Sequence, residues 1–253
     1  MIAGVSGAGG RMGRLVAQAI DEAPGIDLGP LYDPHHVGET VAGRMIEGEP
    51  EAMEGADVVV EFTEPGVVMA NLSAWRSLGV HAVVGTSGFD GARVDEVRSL
   101  WGDGPPNCLI VPNFSIGAVV MMRLAELAAP HFAAAEVIEL HHDRKADAPS
   151  GTALATAQRI AAASEQHRAV DSTELVPGAR GADAGGVPVH AVRLPGLVAH
   201  QEVLLGSTGE TLTIRHDTTD RAAFLPGVLA AVRAVSALEG AVTVGLEELL
   251  GLQ

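Results

Sequence analysis

The sequence predicts an α/β protein, with a doubly wound parallel sheet followed by a smaller α+β domain whose sheet is mixed or antiparallel. Three observations point there. The first half alternates short, continuously apolar runs with helical patterns, and continuous Val/Ile/Leu strands belong to sheets covered on both faces. The first apolar run leads straight into a Gly-rich turn, Gly7 to Gly13, and then a helix. The second half changes rhythm: a long helix, a strand, a helix, a polar Gly/Ala-rich stretch and three strand-like segments.

Taken in order, Ile2 to Val5 is a short apolar strand. Leu15, Val16, Ala19 and Ile20 share one face of a helix that stops at Pro24-Gly25. Ile26 to Tyr32 is a second strand, ending in Asp33-Pro34. Asp57 to Phe62 is a third, after which a helix begins with Thr63 or Glu64 near its cap and Pro65 near its first turn. His81 to Val84 is a fourth strand, Asp90 to Leu100 a helix and Cys108 to Val111 a fifth strand. The second half begins with an apolar helix, Ile116 to Ala129, a strand, Glu136 to His142, and a helix, Ser150 to Ala163. Gln166 to Gly186 reads as a long loop. Val187 to Leu194, Val198 to Leu205 and Thr211 to His216 read as antiparallel strands, the last two joined by a hairpin turn at Gly206 to Glu210. A helix from Asp220 to Val235 and a short one at Leu246 to Leu250 close the chain. The expected domains are 1–112, completed by 221–253, and 113–220.

Composition narrows the function. The chain has 253 residues and a formal net charge of −16, which speaks against nucleic acids and anionic membranes as partners. Any anionic ligand must therefore be held by a local cluster of donors. Cys108 is the single cysteine, so neither an internal disulfide nor a cysteine metal cluster can form; its apolar setting makes it a core residue. The N-terminus lacks a basic region and runs into a strand, unlike a signal peptide, and no apolar run reaches membrane-spanning length. The expectation is a soluble cytoplasmic protein.

Gly7, Ala8, Gly9, Gly10, Arg11, Met12 and Gly13 lie between a strand and a helix. A Gly-rich turn in that setting holds a pyrophosphate on the free N–H groups of the helix start. The spacing is G-x-x-G-x-x-G, since Met12 stands where a strict G-x-G-x-x-G has its third glycine. Asp33, ending the second strand, is placed to accept hydrogen bonds from an adenosine ribose. Alone it is equally a turn residue before Pro34; with the Gly-rich loop it favours dinucleotide binding in a Rossmann-like domain. An acid there favours NADH over NADPH, and Arg11, His35 and His36 soften the preference. The loops Phe62-Thr63-Glu64 and Gly85-Thr86-Ser87-Gly88 either flank the nicotinamide ribose or are ordinary turns.

The densest polar stretch is His141-His142-Asp143-Arg144-Lys145-Ala146-Asp147-Ala148-Pro149-Ser150-Gly151-Thr152. Lys145 is the only lysine, against fifteen arginines. An ammonium delivers a proton and a guanidinium does not, so an acid role outweighs chance survival of one surface lysine. The helix start at Ser150-Gly151-Thr152, beside Lys145 and two histidines, suits a small carboxylate, and Gly151 allows close approach. A metal site is the rival reading, but no spacing closes a ligand set. His141 and His142 face opposite ways unless the strand ends between them. His81, His131, His167, His190, His200 and His216 read as structural.

Gly7 to Gly13, Gly85 to Phe89, Val111-Pro112-Asn113-Phe114-Ser115 and Glu139 to Thr152 together resemble the 4-hydroxy-tetrahydrodipicolinate reductase family, formerly called dihydrodipicolinate reductase. The resemblance runs along essentially the whole chain, and its specific part is Glu-x-His-His through Ser-Gly-Thr. It implies a two-domain reductase of lysine and diaminopimelate biosynthesis, usually a homotetramer built through the second domain's sheet. It implies hydride transfer from NADH or NADPH to a small cyclic dicarboxylate, with loss of water. By the same resemblance, His141 matches a proton donor/acceptor and Lys145 a proton donor. His142, Gly151 and Thr152 match substrate contacts. Gly7, Ala8, Gly9, Gly10, Arg11, Met12, Asp33, Gly85, Thr86, Ser87, Val111, Pro112, Asn113 and Phe114 match cofactor contacts, with no metal. Pro34 departs from the pattern, since many relatives carry a basic residue there, and weakens any strong NADPH preference. A related dehydrogenase of another amino or imino acid would share only the cofactor domain, and a non-catalytic nucleotide-binding regulator would not need His141 and Lys145.

Overall fold

The apolar runs of the first half all become strands of one sheet. In the computed structural model, which describes residues 1–164, 170 and 172–252, the order begins β1 (Ile2–Ser6), α1 (Arg11–Glu22), β2 (Asp27–Tyr32), β3 (Thr40–Val41), β4 (Arg44–Glu47) and β5 (Val58–Glu61). It continues with α2 (Val68–Leu78), β6 (His81–Val84), α3 (Gly91–Trp101), β7 (Cys108–Ile110) and α4 (Ile116–Ala128). Then come β8 (Ala134–His141), α5 (Gly151–Ala163), β9 (Ala182–Asp183), β10 (Pro188–Arg193), β11 (Ala199–Ser207) and β12 (Glu210–Thr218), and last α6 (Leu225–Ala234) and β13 (Val242–Val244). Two compact units result: Met1–Ile116 with Phe224–Gln253, and Gly117–Ala223.

The first unit holds an eight-stranded sheet in the order β13-β7-β6-β5-β1-β2-β4-β3. Every pairing is parallel except β3 with β4. Strands β5 and β7 are buried at every position, as continuous apolar runs require. Two tryptophans anchor the layer over β5 to β7: Trp75 of α2 and Trp101 of α3 are fully buried beside Val59, Val84 and Ile110. Tyr32 meets Trp75 edge-on, ring centroids 5.7 Å apart. Each indole N–H is satisfied, Trp75 by the Glu61 carboxylate and Trp101 by the Pro106 carbonyl, as burial demands. Cys108 is fully buried, and burial pushes its thiol pKa far up.

The second unit packs α5 against a five-stranded sheet, β12-β11-β8-β10-β9. Its core joins Val137, Val189, Val203 and Leu205 from the strands to Ala153, Ala157 and Ile160 from α5.

Several local expectations are corrected. Segment β10 was expected to be antiparallel but runs parallel to β8, pairing Val189 with Val137 and Arg193 with His141. The reason is that α5 lies between them, and a crossover helix returns the chain to the end it started from. Helix α2 begins at Val68, because the Thr63 side chain turns back to Glu61 instead of capping a helix. The expected long loop contains β9, which pairs with Pro188-Val189; Gln166 and His167 lie outside the described residues. Leu246 to Leu250 closes a turn rather than a helix. Strands β3, β4 and β13 were not expected. The hairpin, the end of α1, the boundaries of α3, α4 and α5 to within a residue or two, and both sheet types follow the expectation, while α1 already starts at Arg11, inside the expected Gly-rich turn.

Candidate active site

The Gly-rich turn links β1 to α1 as expected. Gly7 has φ +76°, and a Cβ there would lie 2.3 Å from the Phe62 carbonyl oxygen, so only glycine fits. The Gly7 and Ala8 N–H groups donate to the Tyr32 carbonyl, and the Gly9 N–H donates to Asp33 Oδ2 at 3.0 Å. Asp33 is buried, and its other oxygen accepts from the His35 N–H at 3.0 Å. His36 Nδ1 stands 3.1 Å from Asp33 Oδ2, in ion-pair range but without hydrogen-bond alignment. Asp33 thus ties the loop to the end of β2.

Helix α1 starts after Gly10 with no side-chain cap and no acidic residue in its first turn. Its leading N–H groups carry partial positive charge and are not taken by a capping side chain, a good fit for a pyrophosphate. Arg14 holds the loop from behind, its Nε donating to the Gly9 carbonyl at 2.9 Å. Arg11 is exposed and Met12 half-buried.

The loops after β5 and β6 are joined around a carboxylate that no motif in the sequence points to. Glu61 is fully buried at the end of β5 and accepts from Thr63 Oγ1, from Asn71 at 3.2 Å and from Trp75 at 3.0 Å. The buried Thr86 hydroxyl accepts the Thr63 N–H at 2.9 Å, which joins the β5 and β6 loops. Gly85 packs against Phe62 and Phe114, whose rings are 5.5 Å apart. Ser87 and Pro112 are exposed, Val111 is buried, and Asn113 accepts the Ser115 N–H at 2.8 Å.

In the second unit, β8 ends at His141, so His142 leaves the strand and the two histidines need not face opposite ways. His142 Nδ1 is buried without a hydrogen-bond partner among the described residues. Two residues before His141, and so on the same strand face, stands Glu139, fully buried. Its Oε2 accepts from His141 Nδ1 and from Arg193 Nη1 at 2.8 Å; its Oε1 accepts from Arg193 Nη2 at 2.7 Å and from the Ser150 N–H at 3.1 Å. Burial raises the Glu139 pKa, but the bonds from Arg193 and His141 overcome it and hold the carboxyl below its ordinary range. Burial pushes the His141 imidazole below its ordinary value, against the pull of Glu139, and Lys145 and Arg193 push the same way.

Ser150 caps α5, its hydroxyl accepting from the Ala153 N–H at 3.2 Å. Gly151 is exposed, and a Cβ there would meet nothing within 4 Å, so the helix start opens onto unfilled space. Thr152 is half-buried in the same turn. Lys145 Nζ donates to both Asp147 oxygens, at 2.7 and 2.9 Å. Arg193 Nη2 also donates to the Asp147 carbonyl at 2.7 Å, which fixes the loop between β8 and α5. The expected His141, His142, Lys145, Gly151 and Thr152 thus lie on one strand end, one turn and one helix start. Glu139 and Arg193 are additions. No group of three or more His, Cys, Asp or Glu among the described residues could hold a metal ion.

Comparison with known proteins bears directly on this arrangement. Residues 1–114 match the family model described as dihydrodipicolinate reductase, N-terminus, and residues 117–250 match its C-terminal counterpart. The chain belongs to the dihydrodipicolinate reductase family. It is an NAD(P)H-dependent oxidoreductase. It is 51% identical to the 4-hydroxy-tetrahydrodipicolinate reductase of Mycobacterium marinum over 100% of both chains, and 52% identical to that of Nocardia farcinica over 98% of both. A solved dihydrodipicolinate reductase from Paenisporosarcina sp. TG-14, described as dipicolinate-bound, superposes with a TM-score of 0.86 at 34% identity over 98% of both chains. The scyllo-inositol dehydrogenase of Lactobacillus casei, at 12% identity and a TM-score of 0.61, shares the fold alone.

Proposed function

We propose that this dihydrodipicolinate reductase family member reduces 4-hydroxy-tetrahydrodipicolinate to tetrahydrodipicolinate, with loss of water, in lysine and diaminopimelate biosynthesis. The observation that carries the reading is the cluster of His141, Lys145 and the open start of α5 around the buried Glu139. It offers a proton-handling imidazole, a proton-bearing ammonium and an anion-seeking helix end within one short segment. The first unit binds the dinucleotide, with its pyrophosphate at the start of α1, and the second binds the substrate. When bound, the nicotinamide supplies a hydride.

The substrate's carboxylates take the N-terminal turn of α5 at Gly151 and Thr152, with His142 beside them. Hydride addition to a conjugated imine leaves negative charge on the ring, and the Lys145 ammonium donates the proton that balances it. His141 receives or returns a proton as water leaves. In a chain of net charge −16, such donors must act locally. Asp33 favours NADH by repelling a 2′-phosphate, while His36 beside it tempers the repulsion, so NADH is preferred or both cofactors serve. The chain works in the cytoplasm as a homotetramer assembled through the second unit's sheet; among the described residues no helix is long and apolar enough to cross a membrane.

The test is oxidation of NADH and of NADPH with substrate generated by the preceding synthase, for wild type and Lys145→Arg. Wild type should turn over, and Lys145→Arg, which keeps the charge but not a transferable proton, should lose about 10²- to 10⁴-fold in kcat. An unaffected Lys145→Arg would remove Lys145 from the mechanism, and no oxidation with either cofactor would overturn the assignment.

A further inference from the structure

The role of His141 depends on which ring nitrogen carries the proton, and its surroundings decide that. We propose that Glu139, clamped by Arg193, is a positioning residue that holds His141 as the neutral Nδ1–H tautomer and leaves Nε2 as the nitrogen that exchanges protons with substrate. This rests on the reading of His141 as a proton-handling residue of the reductase.

The bond between Glu139 and His141 allows only one arrangement. An ionised carboxylate accepts and cannot donate, so a neutral His141 must present Nδ1–H to it. The opposite tautomer would set two lone pairs against each other inside the fold. Nε2 has no hydrogen-bond partner among the described residues, and the side chain keeps 16% of its exposure, so that nitrogen is open to a ligand.

Arg193 changes what Glu139 does. A carboxylate alone would also favour the imidazolium, as a nearby anion normally does. Here each Glu139 oxygen already takes one guanidinium N–H, at 2.8 and 2.7 Å, and Oε1 takes the Ser150 N–H as well. The negative charge is matched by a positive one, and burial, with smaller pushes from Lys145 and Arg193, keeps the His141 imidazole below its ordinary pKa despite its touching a carboxylate. The other charged neighbours do not reverse this. Lys145, in the turn after β8, opposes protonation and is itself paired with Asp147; Arg193, opposite His141 on β10, opposes it too; Ala199, opposite on β11, is neutral. Glu139 therefore orients the ring without charging it, and Nε2 keeps its lone pair at neutral pH.

The first experiment reads the tautomer directly. In protein carrying ¹⁵N-labelled histidine, long-range proton–nitrogen correlation spectra separate the two tautomers, and the signal lost in His141→Asn identifies His141. The expected result is a protonated Nδ1 and an unprotonated Nε2; a protonated Nε2 overturns the proposal whether or not the Glu139 and Arg193 variants fold. Two variants then test the division of labour. Glu139→Gln should move the His141 titration and the matching limb of the kcat/KM profile to lower pH, and should lower kcat more than it changes the KM for NADH. Arg193→Gln, which leaves the carboxylate unbalanced, should move both to higher pH. A purely structural role would give no tautomer preference or shift both variants the same way, and either outcome refutes the proposal. The tautomer is read without substrate. If it is as expected but nothing is reduced, the reductase reading fails and the hold of Glu139 on the His141 tautomer alone stands; if turnover is normal but Nε2 carries the proton, only the positioning role falls.

Discussion

At the scale of single residues, the site contrasts two ion pairs. Glu139, fully buried, is held bidentately by Arg193, which is 19% exposed, and removing Arg193 would strand a buried carboxylate. Lys145 with Asp147 lies at the surface, its partners 22% and 58% exposed, where such pairs are worth about 0–1 kcal/mol. The Asp147 carboxyl sits below its ordinary range chiefly through its bond from Lys145. A substrate carboxylate can replace Asp147 on the ammonium at little cost. Asp147→Asn should therefore leave the melting temperature nearly unchanged and lower the KM for substrate by about 2- to 5-fold, because Lys145 no longer leaves an anion to meet its ligand. A raised KM in steady-state kinetics would show instead that Asp147 aims Lys145. His141, Lys145 and Gly151 were legible because they fall in one twelve-residue run around the only lysine. Glu139 left a fainter signal, an acid two places before a histidine on one strand. Arg193, 54 positions along the chain, left none. Glu61, a lone acid after Val58-Val59-Val60, could have been flagged as a charge placed where a parallel strand is buried.

At the scale of elements, legibility followed burial. Strands β5, β6 and β7 announced themselves because both faces are covered and each carries an unbroken run of three apolar residues. The missed β3, β4 and β13 have two to four residues each and lie toward the sheet's edges, where pairing needs no apolar pattern. The direction of β10 was misjudged because its alternating residues look alike in either sense; only the crossover through α5 sets it parallel. The start of α2 was misplaced because Thr63-Glu64-Pro65 imitates a cap, while the buried Glu61 claims the Thr63 hydroxyl. Helix α5, by contrast, has a working cap, and its first turn is also the proposed carboxylate seat. Ser150→Ala should cost about 1 kcal/mol and lower the melting temperature by about 2–4 °C, since the Ala153 N–H loses its acceptor. The Ser150 N–H to Glu139 is backbone and survives the change. Activity should therefore fall through a higher KM for substrate, with the KM for NADH unchanged. If thermal melts and kinetics show both KM values rising together, α5 is a scaffold and not a substrate seat.

At the scale of the whole molecule, the shifted groups divide into a set that weakens the fold on acidification and a set that weakens it on the alkaline side. His81, His141 and His216 are held below their ordinary pKa first by burial. As pH falls, the unfolded chain takes up protons on these three before the folded one does, so stability drops once pH goes below about 6.5. Glu136 and Glu139 are depressed as well, hydrogen bonds from Arg180 and His190 or from Arg193 and His141 outweighing burial. Their contribution is full above the unfolded carboxylate pKa, about 4.3, and is lost as pH falls through the folded value. Tyr32 works at the other end: burial and then Glu61 raise its pKa, so its contribution is present below about pH 10 and is lost above it. The melting temperature should thus be flat from about pH 7 to 8, fall in two stages on acidification, first through histidines and then through carboxylates, and fall on the alkaline side from about pH 8.5, as the unfolded chain ionises the Cys108 thiol that burial keeps protonated in the fold, and further above about pH 10 through Tyr32. His81 supplies a control outside the proposed site, since its Nδ1 accepts the Asn107 N–H at 2.8 Å in the first unit. Calorimetric scans of wild type and His81→Gln across this range check the scheme. The variant should lose part of the first acid stage and none of the second. A melting temperature that climbs between pH 7 and 5 would mean that the histidines are charged in the folded chain, and would also remove the neutral imidazole on which the proposed chemistry of His141 depends.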